Sequence, residues 1–141
     1  MKKNVTLLLV FLSITLMAGC AKEYFYDYTE LSSSVKQVYI VEVQRSEFYG
    51  DISIEYLKEI KDYDIFLQDL SNLRYEYSSF LEPENNKGKV IMLIYDDADY
   101  DFGVVGPNGI EKFKDNKEVY FYNARCDENE LSLLINKYFD N

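Results

Sequence analysis

The sequence predicts an α+β fold, a mostly antiparallel sheet of about six or seven short strands with two helices packed on one face. Three observations carry that prediction. Residues 89–95, KVIMLIY, form an apolar run bounded by turn signals, the pattern of a central strand. Short β-branched and aromatic runs follow it, joined by turns too tight for a parallel crossover, so neighbouring strands pair antiparallel. Two segments, 62–73 and 127–139, place apolar residues at helical spacing instead.

The elements follow in chain order. Residues 36–44, KQVYIVEVQ, put Val38 and Ile40 on one face and Tyr39, Val41 and Val43 on the other, a strand covered on both faces. Gly50-Asp51 marks a turn. Ile52, Ile54 and Tyr56 then alternate with Ser53 and Glu55 as a half-buried strand, although Leu57 and Ile60 also fit a helix from residue 54. Phe66, Leu70 and Leu73 stripe a helix over 62–73, with Leu67 widening the stripe, Asp62 as N-cap and Asp64 in the first turn. Residues 74–81 return to alternation as a short strand, and 83–88, PENNKG, read as a polar loop. After the central strand, Asp96 to Asp99 form a hairpin turn and Tyr100 to Val105 the return strand. Gly106-Pro107-Asn108-Gly109 is a second turn, Ile110 to Lys114 a strand, Asp115-Asn116 a turn and Val119 to Tyr122 a last strand. In the C-terminal helix Leu131, Leu134, Ile135 and Tyr138 share one stripe, and Asp127 with Glu130 resembles a capping box.

The composition excludes several functions. The 141 residues hold 15 Lys+Arg against 25 Asp+Glu, a formal charge of −10. Such a chain repels phosphate backbones and anionic headgroups, which argues against nucleic acid as a partner and against polybasic membrane attachment. With no His, the commonest general base and zinc ligand are missing, and with no Trp the strongest cation–π platform is missing. Apolar residues at 48% exceed what a disordered acidic chain carries.

The N-terminus reads MKKNVTLLLVFLSITLMAGCAK. Lys2 and Lys3 form a basic start, Val5 to Met17 an apolar stretch too short to span a bilayer, and Ala18-Gly19 a small-residue cleavage site. Leu16-Met17-Ala18-Gly19-Cys20 resembles the lipobox of bacterial lipoproteins, with Met17 where the family usually carries Leu. The resemblance covers residues 1–20. It implies a signal peptide over 1–19, cleavage before Cys20, diacylation of its thiol and anchoring outside the cytoplasmic membrane, stable because two acyl chains hold what one does not. The Lys, Asn, Ile and Tyr content favours a Gram-positive cell surface. Cleavage removes two positive charges, so the mature chain is more acidic still. Residues 20–34 then read as a tether ending in Ser32-Ser33-Ser34, and 35–141 as a single domain. With Cys20 lipidated, Cys126 is left without a disulfide partner.

Four features bear on chemistry. Asp97, Asp99 and Asp101, followed by Gly103, have the spacing of hard-cation ligands, but Phe102 and Asn108 stand where a calcium-binding EF-hand loop needs Gly and Glu, and the bland reading is a solvated turn. Cys126, beside Arg125 and before a helix, has a nucleophile's position; without His it reads instead as a hydrophobic staple to Leu131. Carboxylate pairs such as Glu82/Glu84 and Asp62/Asp64 suit an acid–base hydrolase in principle and arise by chance among 25 acids. The 14 Tyr, notably Tyr75, Tyr77, Tyr95, Tyr100, Tyr120 and Tyr122, pack well on sheets and also make recognition surfaces, and all of these except Tyr95 are the expected binding surface. The expectation is a membrane-tethered, non-catalytic domain binding a protein, peptide or glycan without a cofactor. A hydrolase using carboxylates or Cys126, and an inhibitor or immunity-like protein against a basic partner, are the alternatives.

Overall fold

The computed structural model describes residues 23–24, 26–46, 52–77, 85–122 and 124–140. The chain runs β1 (Glu23–Tyr24), α1 (Tyr28–Ser34), β2 (Val35–Arg45), β3 (Ile52–Glu59), α2 (Tyr63–Ser71), β4 (Tyr75–Tyr77), β5 (Gly88–Tyr95), β6 (Phe102–Gly106), β7 (Gly109–Lys114), β8 (Lys117–Tyr122), β9 (Ala124–Arg125) and α3 (Glu128–Phe139). Six strands form one antiparallel sheet in the order β3-β2-β5-β6-β7-β8. The short strands β1, β4 and β9 form a second antiparallel sheet. The fold is α+β with a mostly antiparallel sheet.

Both faces of the six-stranded sheet are apolar. On one, Val38, Ile40, Ile91, Leu93, Val105 and Ile110 share a core with Leu31 of α1, Phe66, Leu67 and Leu70 of α2, and Leu131, Leu134 and Ile135 of α3. Burying each such side chain contributes about 1.5–3 kcal/mol. On the other face Val41, Val43, Val90, Met92, Phe102, Val104 and Phe113 form a second cluster. The Phe102 and Phe113 rings, paired across β6 and β7, stack 4.7 Å apart.

Several expectations are refined. Three helices among the described residues, not two, share the first core. The extra one lies where a tether is expected: the Asp27 side chain accepts from the Thr29 and Glu30 amides and caps α1, and Tyr26 and Leu31 are buried. The serines that read as flexible bond back to helical carbonyls, Ser33 and Ser34 both to Glu30. Residues 52–59 are a strand, not a helix. Ile40 pairs with Lys58 and Val41 with Tyr56, so Leu57 is an extra residue in a β-bulge. The bulge reverses the side-chain alternation, which is why Ile54, Leu57 and Ile60 imitate helical spacing.

Asp62 stands at the N-cap of α2 without a side-chain cap bond. Asp127 does cap α3, accepting from the Asn129 and Glu130 amides. Of the strand expected over 74–81, β4 covers 75–77, and residues 78–84 lie outside the described residues. Asp115 and Asn116, both at positive φ, make the two-residue turn between β7 and β8.

Candidate functional site

Sheet register builds the first site. Lys112 on β7 lies between Gly103 on β6 and Tyr120 on β8. Gly103 has no side chain to fill its place, so the Tyr95 ring lies over it: a Cβ there would sit 2.9 Å from Tyr95 Cε2. Tyr95 and Tyr120 thus flank Lys112 from opposite sides. Tyr100, from the β5–β6 connection, closes the third side, its ring 6.4 Å from that of Tyr95. The Lys112 ammonium lies 4.3 Å from the Tyr100 centroid, 5.4 Å from Tyr95 and 5.7 Å from Tyr120, within cation–π range of all three.

Above this cage is a cavity of about 260 Å³, roofed by Tyr26, Leu31 and Ser34, with Asp27, Glu30 and Asp97 around it. Burial, then the neighbouring Tyr122 and Tyr100, raise the Tyr120 hydroxyl above its ordinary pKa, so Tyr120 stays neutral at neutral pH.

The second site is a trough of about 880 Å³ on the other face of the sheet. Ile52, Ile54, Met92, Ile94, Phe102 and Phe113 line it, with Arg45 and Lys117 balanced by Asp101 and Glu118. Beside it lies a buried polar network. Glu111 is fully buried, and Arg45 donates to its Oε1. The Asn86 amide and side chain donate to Oε2 at 3.0 and 2.9 Å. Asn86 also donates to the Gly109 carbonyl and accepts from the Asn108 amide, while Arg45 Nε donates to the Asn86 carbonyl. Burial, then the Glu118 carboxyl, push the Glu111 acid up to about 7, against the opposing pull of Arg45 and Asn86. Both Glu111 oxygens are engaged by donors inside the protein, so the network ties the 85–87 segment to the β6–β7 turn. Gly106 is required there, because a Cβ would fall 2.2 Å from Asn86 Oδ1.

The residues singled out from sequence fall in different places. Tyr100 and Tyr120 meet in the cage. Tyr75 is corrected: it is fully buried, edge-on to Tyr26, with its hydroxyl donating to the Gly106 carbonyl at 3.3 Å. Its inward position on β4 removes it from any surface. Tyr77 (48% exposed) and Tyr122 form a separate pair with rings 5.9 Å apart.

Asp97 accepts from the Asp99 amide in a local turn, and Asp101 accepts from Lys114 Nζ and the Asp115 amide, which hold its carboxyl below the usual range. Among the described residues no three His, Cys, Asp or Glu side chains converge as a metal site. Cys126 is buried in the first core with Leu131, and burial pushes its thiol up, away from a thiolate nucleophile. Asp62 and Asp64 are exposed. Cys20, Glu82 and Glu84 lie outside the described residues.

Sequence reasoning missed Lys112, Gly103 and Glu111. The alternation in Ile110-Glu111-Lys112-Phe113 was a usable signal, since it places Glu111 on the face of Phe113 and Lys112 on that of Ile110. Among the described residues no helix is long and apolar enough to cross a membrane. No protein-family model, curated protein or solved structure matches the chain.

Proposed function

We propose that the chain is a lipid-anchored, extracytoplasmic, non-catalytic binding domain held at the membrane through Cys20, and that its ligand seat is the tyrosine-walled pocket beneath α1. The observation that carries the seat is the convergence of Tyr95, Tyr100 and Tyr120 on one small cavity with three carboxylates around it. Tyrosine gives contact area and hydrogen bonding at low entropic cost, which suits recognition better than proton transfer. The trough is the weaker seat, because its charges cancel and favour no ligand sign. Two groups that could serve a hydrolase are held in other roles, Cys126 in the core and Glu111 by its donors. A tethered inhibitor of a basic partner is a form of this reading that the acidic rim favours.

The anchor reading rests on the lipobox resemblance and gains a geometric consequence. Two residues, Ala21 and Lys22, separate Cys20 from β1, so at most about 10 Å of extended chain links them. Without a long tether, the domain meets its partner close to the bilayer.

Two experiments test this reading. Cell fractionation of Cys20→Ala is expected to find the protein released from the membrane; retention unprocessed at the membrane overturns the lipid anchor. A photoreactive residue at position 120 is expected to cross-link a partner in intact cells, and one at position 133, 70% exposed on α3, is not. Equal cross-linking from both positions, or none from 120, overturns the seat.

A further inference from the structure

We infer that the pocket beneath α1 is a cation site for a lysine or arginine side chain of a basic polypeptide, and that Lys112 is its built-in occupant, displaced when the partner binds. The inference deepens the proposed function and rests on its placement of the ligand seat.

The pocket already holds a cation. Three tyrosine rings surround the Lys112 ammonium at 4.3–5.7 Å. Lys112 makes no ion pair among the described residues, although acids outnumber bases in the chain. Ring faces, not a carboxylate, are what hold it. Ammonium and guanidinium groups are the ligands such faces select, and they bind more tightly when removed from water.

Asp27, Glu30 and Asp97 bring three negative charges to the cavity against one from Lys112. None of the three carboxylates makes an ion pair among the described residues. Asp27 and Asp97 each spend one oxygen on local backbone amides, and the Glu30 carboxylate has no such bond. A second cation is therefore electrostatically favoured, whereas an anion would face the surplus carboxylates.

About 260 Å³ accommodates one long side chain rather than a drug-sized ligand. Lys112 has a flexible four-carbon stem pinned at its base between Gly103 and Tyr120, so its ammonium swings toward the carboxylates without any change in the sheet. Partner affinity is set by exchange of one cation for another in the same cage.

The test uses the full lipidated chain in nanodiscs of zwitterionic phosphatidylcholine, with hexalysine as the probe, hexaglutamate as the opposite-charge control and empty nanodiscs as blank. Hexalysine is expected to bind and hexaglutamate not. Lys112→Met empties the cage and is expected to tighten hexalysine about 2- to 30-fold, the range of one cation–π contact. Lys117→Met removes the same charge from β8 without emptying the cage and is expected to leave affinity within about twofold. Tyr100→Leu, which keeps apolar bulk but removes the ring face, is expected to weaken binding several-fold, as is Glu30→Gln with Asp97→Asn. Circular dichroism shows whether each variant folds, and the Lys112 and Lys117 variants decide the question even if Tyr100→Leu does not fold.

Equal tightening by the two lysine variants assigns the effect to bulk charge and overturns the inference. So does binding of hexaglutamate, or failure of hexalysine to bind either wild type or Lys112→Met. Failure of the anchor reading is seen separately, as membrane retention of Cys20→Ala.

Discussion

Raising the pH from 4.5 to 7.5 is expected to destabilise the fold, and Glu111 is the reason. An unfolded glutamate titrates near 4.5, whereas in the native chain burial pushes Glu111 up to about 7. The native state therefore holds this proton more tightly than the unfolded state. Its contribution to stability is fully present below pH 4.5 and is lost as pH rises through about 7. A shift from 4.5 to about 7 at about 1.4 kcal/mol per pH unit gives a loss of about 3 kcal/mol, steepest between pH 5 and 6.5. Asp69 and Asp101 have the opposite sign, held down chiefly by their hydrogen bonds to Lys137 and Lys114, and they act below their ordinary value of 3.8. The two windows do not overlap. The assay is urea denaturation at constant ionic strength, followed by tyrosine fluorescence, which 14 Tyr and no Trp make readable. Glu111→Gln is expected to flatten the curve between pH 5 and 6.5. A wild-type stability that is flat or rises across that window, or a slope that survives Glu111→Gln, refutes the reasoning.

Further outcomes follow from the packing. Phe66→Ala, at a fully buried ring edge-on to Tyr138, is expected to cost about 3–5 kcal/mol in denaturant unfolding. Gly106→Ala drives a methyl into Asn86 and is expected to cost about 1–3 kcal/mol, much of it recovered when Asn86→Ala is added, a coupling a double-mutant cycle measures. Asp127→Ala removes the cap of α3 and is expected to cost about 1 kcal/mol. Cys126 is expected to react with a disulfide reagent only after urea unfolds the domain; prompt reaction of the native chain contradicts its place in the core.

The parts of the fold legible in sequence were those governed by local pattern. The run at 89–95 forms β5, and the Asp115-Asn116 turn is written in residues that tolerate positive φ. The α1 helix was not legible, because one buried Leu and three serines look like a linker until Tyr26 and Leu31 find the core. The bulge at Leu57 was hidden because it is a property of the pairing with β2, not of either strand alone. The cage was half legible: Tyr100 and Tyr120 are conspicuous, but Lys112 joins them only through a cross-strand register in which Gly103 leaves room for Tyr95. The burial of Tyr75 was hidden for a similar reason, since its alternation with Tyr77 does not say which side of β4 faces in.

The most direct test of the account is the position of the Lys112 side chain, read by NMR from the ε-methylene resonance, assigned with Lys112→Arg. In the free protein the three rings are expected to shift this resonance upfield by ring currents, and saturation with hexalysine is expected to return it to the value of an exposed lysine. A resonance at the exposed value without peptide contradicts the cage, and one that stays upfield at saturation contradicts the exchange of cations on which recognition is proposed to depend.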